Sequence, residues 1–150
     1  MTRTYHGSCH CQAITFEVDI DLTAGTGKCN CSICMKTRNW NAIVGPDKFR
    51  LTLGEDKLSE YRFGSGAVSY RFCPTCGVHV FSRGYLEEIA GDFVSVRVNC
   101  LDDASPGELV DAPVRHADGR HDNWWTEPEV TSPQQEESDD TDTQKAVTEN

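Results

Sequence analysis

The sequence reads as a mainly β chain: one mostly antiparallel domain of short strands, drawn together by bound metal. Three observations lead there. Several segments alternate apolar and polar residues with period two. Breakers rich in glycine or proline separate them. Seven of the eight cysteines fall into three tight groups. No long segment keeps the 3.6-residue period of an amphipathic helix.

In chain order, Ile14, Phe16 and Val18 alternate with Thr15, Glu17 and Asp19. Phe49, Leu51 and Leu53 alternate with Arg50 and Thr52, and Tyr61 and Phe63 flank Arg62. Val68, Tyr70 and Phe72 alternate with Ser69 and Arg71, and Val94, Val96 and Val98 with Ser95, Arg97 and Asn99. Each pattern is that of a half-buried strand. The punctuation is Gly45-Pro46-Asp47, Gly54-Glu55-Asp56, Gly64-Ser65-Gly66 and Gly91-Asp92. Short helical turns are expected after Cys34 and over residues 105–109, where Ser105 caps and Pro106 takes the first helical position.

The chain has 150 residues and a formal net charge of -10. Residues 131–150 hold six acids, one base and only two apolar residues, Ala146 and Val147. That segment cannot bury enough surface to offset its ordering entropy and reads as an acidic, disordered tail, either simply solvated or partner-binding. The folded domain is expected over residues 1–130. There, 18 acids still outnumber 13 bases, which argues against a protein built to neutralise phosphates and so against nucleic acid as a partner. No apolar run is long enough to span a membrane. The N-terminus lacks a secretory apolar region, so a reducing, cytoplasmic location is expected. Nothing in the pattern addresses oligomeric state.

In a reducing compartment, close-spaced cysteines hold metal more often than disulfides, and a redox dithiol is the lesser reading. Cys9-His10-Cys11 read as an extended strand would put both sulfurs on one side. Cys73-Pro74-Thr75-Cys76-Gly77 has the form of a zinc knuckle, with Pro74 fixing one backbone angle and Gly77 permitting a positive φ. Together, Cys9, Cys11, Cys73 and Cys76 make a closed tetrahedral set of four thiolates, a structural zinc site. Cys29, Cys31 and Cys34 supply three thiolates from six residues. Three protein ligands leave a fourth position open, as catalytic zinc sites do. Closure of that position by Cys100 or a histidine would instead make the site structural. Two Zn²⁺ ions per chain follow.

Gly7-Ser8-Cys9-His10-Cys11, Cys29-Asn30-Cys31-Ser32-Ile33-Cys34 and the stretch from Phe72-Cys73-Pro74-Thr75-Cys76-Gly77 to Val78-His79-Val80-Phe81 resemble the glutathione-dependent formaldehyde-activating enzyme family, whose domain is shared with centromere protein V. Val96-Arg97-Val98-Asn99-Cys100-Leu101-Asp102 and Asp118-Gly119-Arg120 are similar to its later segments, so the resemblance spans residues 4–128. It implies several small coiled antiparallel sheets around a structural zinc on Cys9, Cys11, Cys73 and Cys76. It implies a second, catalytic zinc on Cys29, Cys31 and Cys34. It also implies a carbon–sulfur lyase that adds glutathione reversibly to formaldehyde, giving S-(hydroxymethyl)glutathione. Where many members continue with small residues and a glycine after the catalytic cysteines, this chain reads Met35-Lys36-Thr37-Arg38-Asn39-Trp40.

In that reading a small-molecule thiol and an aldehyde are the partners. Arg38, Lys36 and Arg97 are candidates to face the developing alkoxide. Two alternatives stand beside it. One is a methionine sulfoxide reductase-like enzyme with Cys100 as nucleophile, where the plainer reading of Cys100 is a small buried hydrophobe. The other is a non-catalytic binding module with both zincs structural. His10 is expected to face solvent and His79 to pack beside the knuckle. Trp124 and Trp125 are expected to seal the domain's end, or to form a pocket wall.

Overall fold

The computed structural model describes residues 1–87 and 91–129. The acidic segment 131–150 lies outside the described residues, as do residues 88–90. The described chain forms two compact units, Met1–Gly25 with Asn41–Pro113, and Thr26–Trp40 with the described residues from Val114 onward.

The first unit holds two antiparallel sheets. β1 (Arg3–Ser8), β2 (Thr15–Ile20) and β5 (Phe49–Leu53) make the smaller one, with β2 in the middle. Phe16 and Val18 of β2 point inward, as the alternation requires. The larger sheet runs in the order β4 (Trp40–Val44), β9 (Gly91–Arg97), β8 (His79–Leu86), β7 (Val68–Phe72) and β6 (Ser59–Tyr61). Phe16 stacks on Phe49 at 5.4 Å and Phe49 meets Phe81 at 4.6 Å, so one row of rings joins the sheets. Ile14, Val18, Val80, Val94, Val96 and Val98 are fully buried and fill the rest of the core.

The mainly β expectation holds, with several small sheets and only short helices. The alternating segments around Phe16, Leu51, Tyr70 and Val96 are all strands. The third falls one step early: β6 ends at Tyr61 and Phe63 lies beyond it. β8, between β7 and β9, was not anticipated, because its sequence sets Val80 beside Phe81 and does not alternate. α2 (Pro106–Asp111) begins as expected: the Ser105 hydroxyl accepts from the Glu108 N–H, and the Glu108 carboxylate accepts from the Ser105 N–H.

The second unit is small. β3 (Thr26–Cys29) pairs in parallel with β10 (Val114–Ala117), unlike the antiparallel pairs described for the first unit. α1 (Ser32–Thr37) follows β3. The Trp40 indole N–H donates to Thr26 Oγ1 at 2.8 Å, and the Lys28 ammonium lies 5.7 Å from the Trp40 ring.

Candidate functional site

Cys9, Cys11, Cys73 and Cys76 come together in the first unit, their sulfurs all within 4.8 Å of one another. Cys9 and Cys11 do not lie on an extended strand, which corrects the sequence expectation. β1 ends at Ser8, and the chain reverses through a turn in which the Gln12 N–H donates to Cys9 O at 3.1 Å. That reversal, not strand alternation, brings the two sulfurs to 3.7 Å. The knuckle has the expected form. The Cys73 N–H donates to Val78 O at 3.0 Å and the Gly77 N–H to Cys73 O at 2.7 Å, with Gly77 at φ +76°. Cys11 and Cys73 sulfurs also stand 3.7 Å apart. A tetrahedron of sulfurs about 2.3 Å from a central Zn²⁺ has edges of about 3.8 Å, so the residues fit that ion. The spacing is far longer than the S–S bond of about 2.05 Å, and all eight cysteines are free thiols. Burial by itself would raise the Cys76 thiol pKa. Backbone N–H groups of Cys11 and Val78 and the neighbouring thiols outweigh it and bring Cys76 down to about 6.

Cys29, Cys31 and Cys34 gather in the second unit, again with sulfurs within 4.8 Å. Cys29 ends β3, Cys31 caps α1, and Cys34 lies in that helix. The helical turn expected after Cys34 therefore starts before it, at Ser32, and makes Cys34 part of the helix. It stops at Arg38, which adopts the left-handed conformation (φ 52°, ψ 46°) and returns its N–H to Cys34 O. Among the described residues no fourth His, Cys, Asp or Glu joins this group. Thiol donation from Cys29 and Cys34 pulls Cys31 down to about 3. Hydrogen bonding to Cys29 and Cys31, then burial, pushes Cys34 far up. Cys31 is thus the sulfur that carries negative charge most readily. Two N–H groups also point at this cluster, Cys31 N–H to Cys29 Sγ and the Asn39 amide to Cys34 Sγ, both at 3.4 Å. Such donors stabilise thiolates and orient metal ligands.

A second chain segment walls this cluster. The Asn30 side-chain amide donates to Asp118 Oδ1 at 2.8 Å, and Asn30 Oδ1 accepts from the Arg120 N–H at 2.9 Å. Arg120 Nε donates to Asn30 O at 3.2 Å, and the Asp118 carboxylate meets His121 Nδ1 at 2.9 Å. Gly119 sits so close that a Cβ there would lie 2.6 Å from Cys29 Sγ and 2.3 Å from the Trp124 ring. In sequence, Asp118-Gly119 is a turn signal. It is a turn, but it is also what encloses Cys29.

The chain matches the family described as glutathione-dependent formaldehyde-activating enzyme over residues 4–116. It belongs to that family. A crystal structure of a Rhodobacter sphaeroides protein superposes with a TM-score of 0.62 and 27% sequence identity, covering 73% of this chain and 99% of that one. The family match takes in all seven clustered cysteines and stops short of Asp118-Gly119-Arg120, although the resemblance seen in the sequence reached residue 128.

The remaining residues of this family member sort by unit. Cys100 joins neither cluster. It is 5% exposed, its thiol donates to His79 O at 3.4 Å, and burial pushes it up to about 12. A nucleophilic cysteine needs an electropositive, accessible setting, so the sulfoxide reductase alternative loses its nucleophile. Arg97 is 3% exposed on β9 of the first unit. His79 stacks on Phe72 at 5.2 Å, beside the knuckle as expected, and His10 is exposed. Trp124 and Trp125 are 48% and 59% exposed, so they do not seal the domain by burial, although Trp124 packs on Gly119. No helix among the described residues is long and apolar enough to cross a membrane.

Proposed function

We propose that this chain is a zinc-dependent carbon–sulfur lyase resembling S-(hydroxymethyl)glutathione synthase. It joins a low-molecular-weight thiol, glutathione by family description, reversibly to a small aldehyde such as formaldehyde. Cys9, Cys11, Cys73 and Cys76 hold a structural zinc, and Cys29, Cys31 and Cys34 hold the catalytic one. The domain spans residues 1–130, followed by an acidic tail over 131–150, and the chain works in the reducing cytoplasm.

The observation that carries the reading is the three-sulfur cluster with no fourth protein donor among the described residues. Zinc there would supply a thiolate at neutral pH by lowering the pKa of an incoming thiol. The overall change is balanced: a sulfur–carbon bond forms, the carbonyl π bond breaks, and the thiol proton ends on the former carbonyl oxygen. Cys29, Cys31 and Cys34 bring three negative charges, which suits exchange of a soft sulfur ligand better than activation of water. Arg120, fixed to Asn30 by two hydrogen bonds, is the cation we assign to the developing alkoxide. It takes precedence over Lys36, Arg38 and the buried Arg97.

The test is consumption of free formaldehyde by purified, zinc-loaded protein with glutathione and with other small thiols. Acceleration above the spontaneous reaction is expected with at least one. No acceleration with any thiol sinks the proposal.

A further inference from the structure

The first unit contains a cleft that the thiol chemistry does not use. It encloses about 420 Å³ and is lined by Arg62, Ser69, Arg71, Arg83, Tyr85 and Asp92, among others. That volume suits a small organic ligand. In an antiparallel ladder, directly opposed residues share a face. Glu60 opposes Arg71, Arg71 opposes Phe81, and Ser69 opposes Arg83, so Glu60, Ser69, Arg71 and Arg83 stand on one face of the sheet.

Two of the three arginines are already committed. Glu60 accepts from Arg62 Nε at 2.7 Å and lies 3.1 Å from Arg71 Nη2. The buried Ser69 hydroxyl donates to Glu60 at 2.7 Å and accepts from Arg71 Nε at 2.5 Å. Arg83 differs. Its guanidinium lies over the rings of Phe49 and Phe81, at 5.4 and 5.5 Å, and meets no carboxylate among the described residues. Stacking on ring faces leaves the N–H donors in the guanidinium plane, arranged as a fork that matches a planar oxyanion. Counting Glu60 and the lining Asp92 against three guanidiniums, the cleft keeps one excess positive charge in a chain whose net charge is -10.

We propose that this cleft binds an oxyanion, with Arg83 as its bidentate anchor and Arg71 and Arg62 as flanking cations. The shared chemistry is a carboxylate of a small organic acid or a phosphate. The inference does not depend on the zinc-thiol reading.

The test is calorimetric titration of the full zinc-loaded chain at low ionic strength with succinate and, separately, with inorganic phosphate. Saturable one-to-one binding of at least one is expected, and the tighter of the two names the class. Arg83→Met, which keeps the packing on the rings, is expected to weaken binding at least tenfold, and Arg83→Lys to weaken it less. In the unsubstituted chain, the bound anion is expected to protect Arg83 from phenylglyoxal, read on its proteolytic peptide. That readout serves even where the variants fold poorly. Absence of saturable binding by both anions overturns the proposal, as does undiminished binding by well-folded Arg83→Met or unprotected Arg83 at saturation.

Discussion

The two sulfur clusters use the same side chain in opposite ways. Cys11 and Cys73 meet across 62 positions of sequence, each in a turn tied by main-chain hydrogen bonds within the β core of the first unit. Cys29, Cys31 and Cys34 come from one bend, where side chains join the backbone in support: the Cys31 N–H and the Asn39 amide on sulfurs, Asn30 on Asp118 and Arg120, and the Gly119 backbone against Cys29. On the proposed reading, a four-sulfur set closing a long loop serves permanence. On the same reading, a three-sulfur set beside a polar network serves exchange. Backbone turns hold the first set, and in the second a side-chain network adds to the backbone.

The largest expected effect follows from that contrast. Cys73→Ser removes a proposed ligand that links distant strands, and structural zinc sites supply about 10 kcal/mol of folding free energy. Loss of soluble protein, or a fall of more than 10 °C in Tm, is expected. Cys31→Ser should leave circular dichroism unchanged and Tm within a few degrees, while zinc content falls from two per chain to one and thiol-dependent formaldehyde consumption disappears. Should Cys31→Ser unfold the chain as Cys73→Ser does, the functional division between the clusters is wrong.

Gly119→Ala comes next. Its Cβ would sit 2.6 Å from Cys29 Sγ, so either the sulfur or the turn must shift. A loss of about 10–100-fold in zinc affinity is expected at the three-sulfur cluster only, measured by competition with a chelator. Asn30→Ala leaves the Asp118 carboxylate and the Arg120 N–H without that partner, at a cost of about 1–3 kcal/mol, visible in the denaturation midpoint. Ser105→Ala, in the first unit, removes the cap of α2 at a cost of about 1 kcal/mol. It should leave zinc release from the three-sulfur cluster unchanged, which makes it a control.

What the sequence shows depends on how local the physics is. Alternating apolar and polar residues made β2, β5, β7 and β9 legible, although of these only β2 buries every second residue; Phe93 to Arg97 of β9 are all buried, and Ser69 is the buried residue of β7. β8 sets Val80 beside Phe81 and carries Gly84 within it, so its sequence does not alternate. β3 and β10 are four residues each, too short for a period to register. The cysteine groups were legible because their close spacing is one that metal ligation favours. Their enclosure was not: Asn30 and Asp118 lie 88 positions apart, and nothing in Asp118-Gly119 beyond a turn signal points to Cys29. The charge network of Glu60, Ser69 and Arg71 was hidden too, since it depends on strand register.

The placement of Gly119 also has a consequence for the order of events during synthesis. Cys29, Cys31 and Cys34 leave the ribosome together, well before the knuckle cysteines that complete the other site. The segment that encloses them is translated some ninety residues later. Until it arrives, the nascent bend lacks that cover, and translation of Asp118-Gly119-Arg120 gives it its native surroundings.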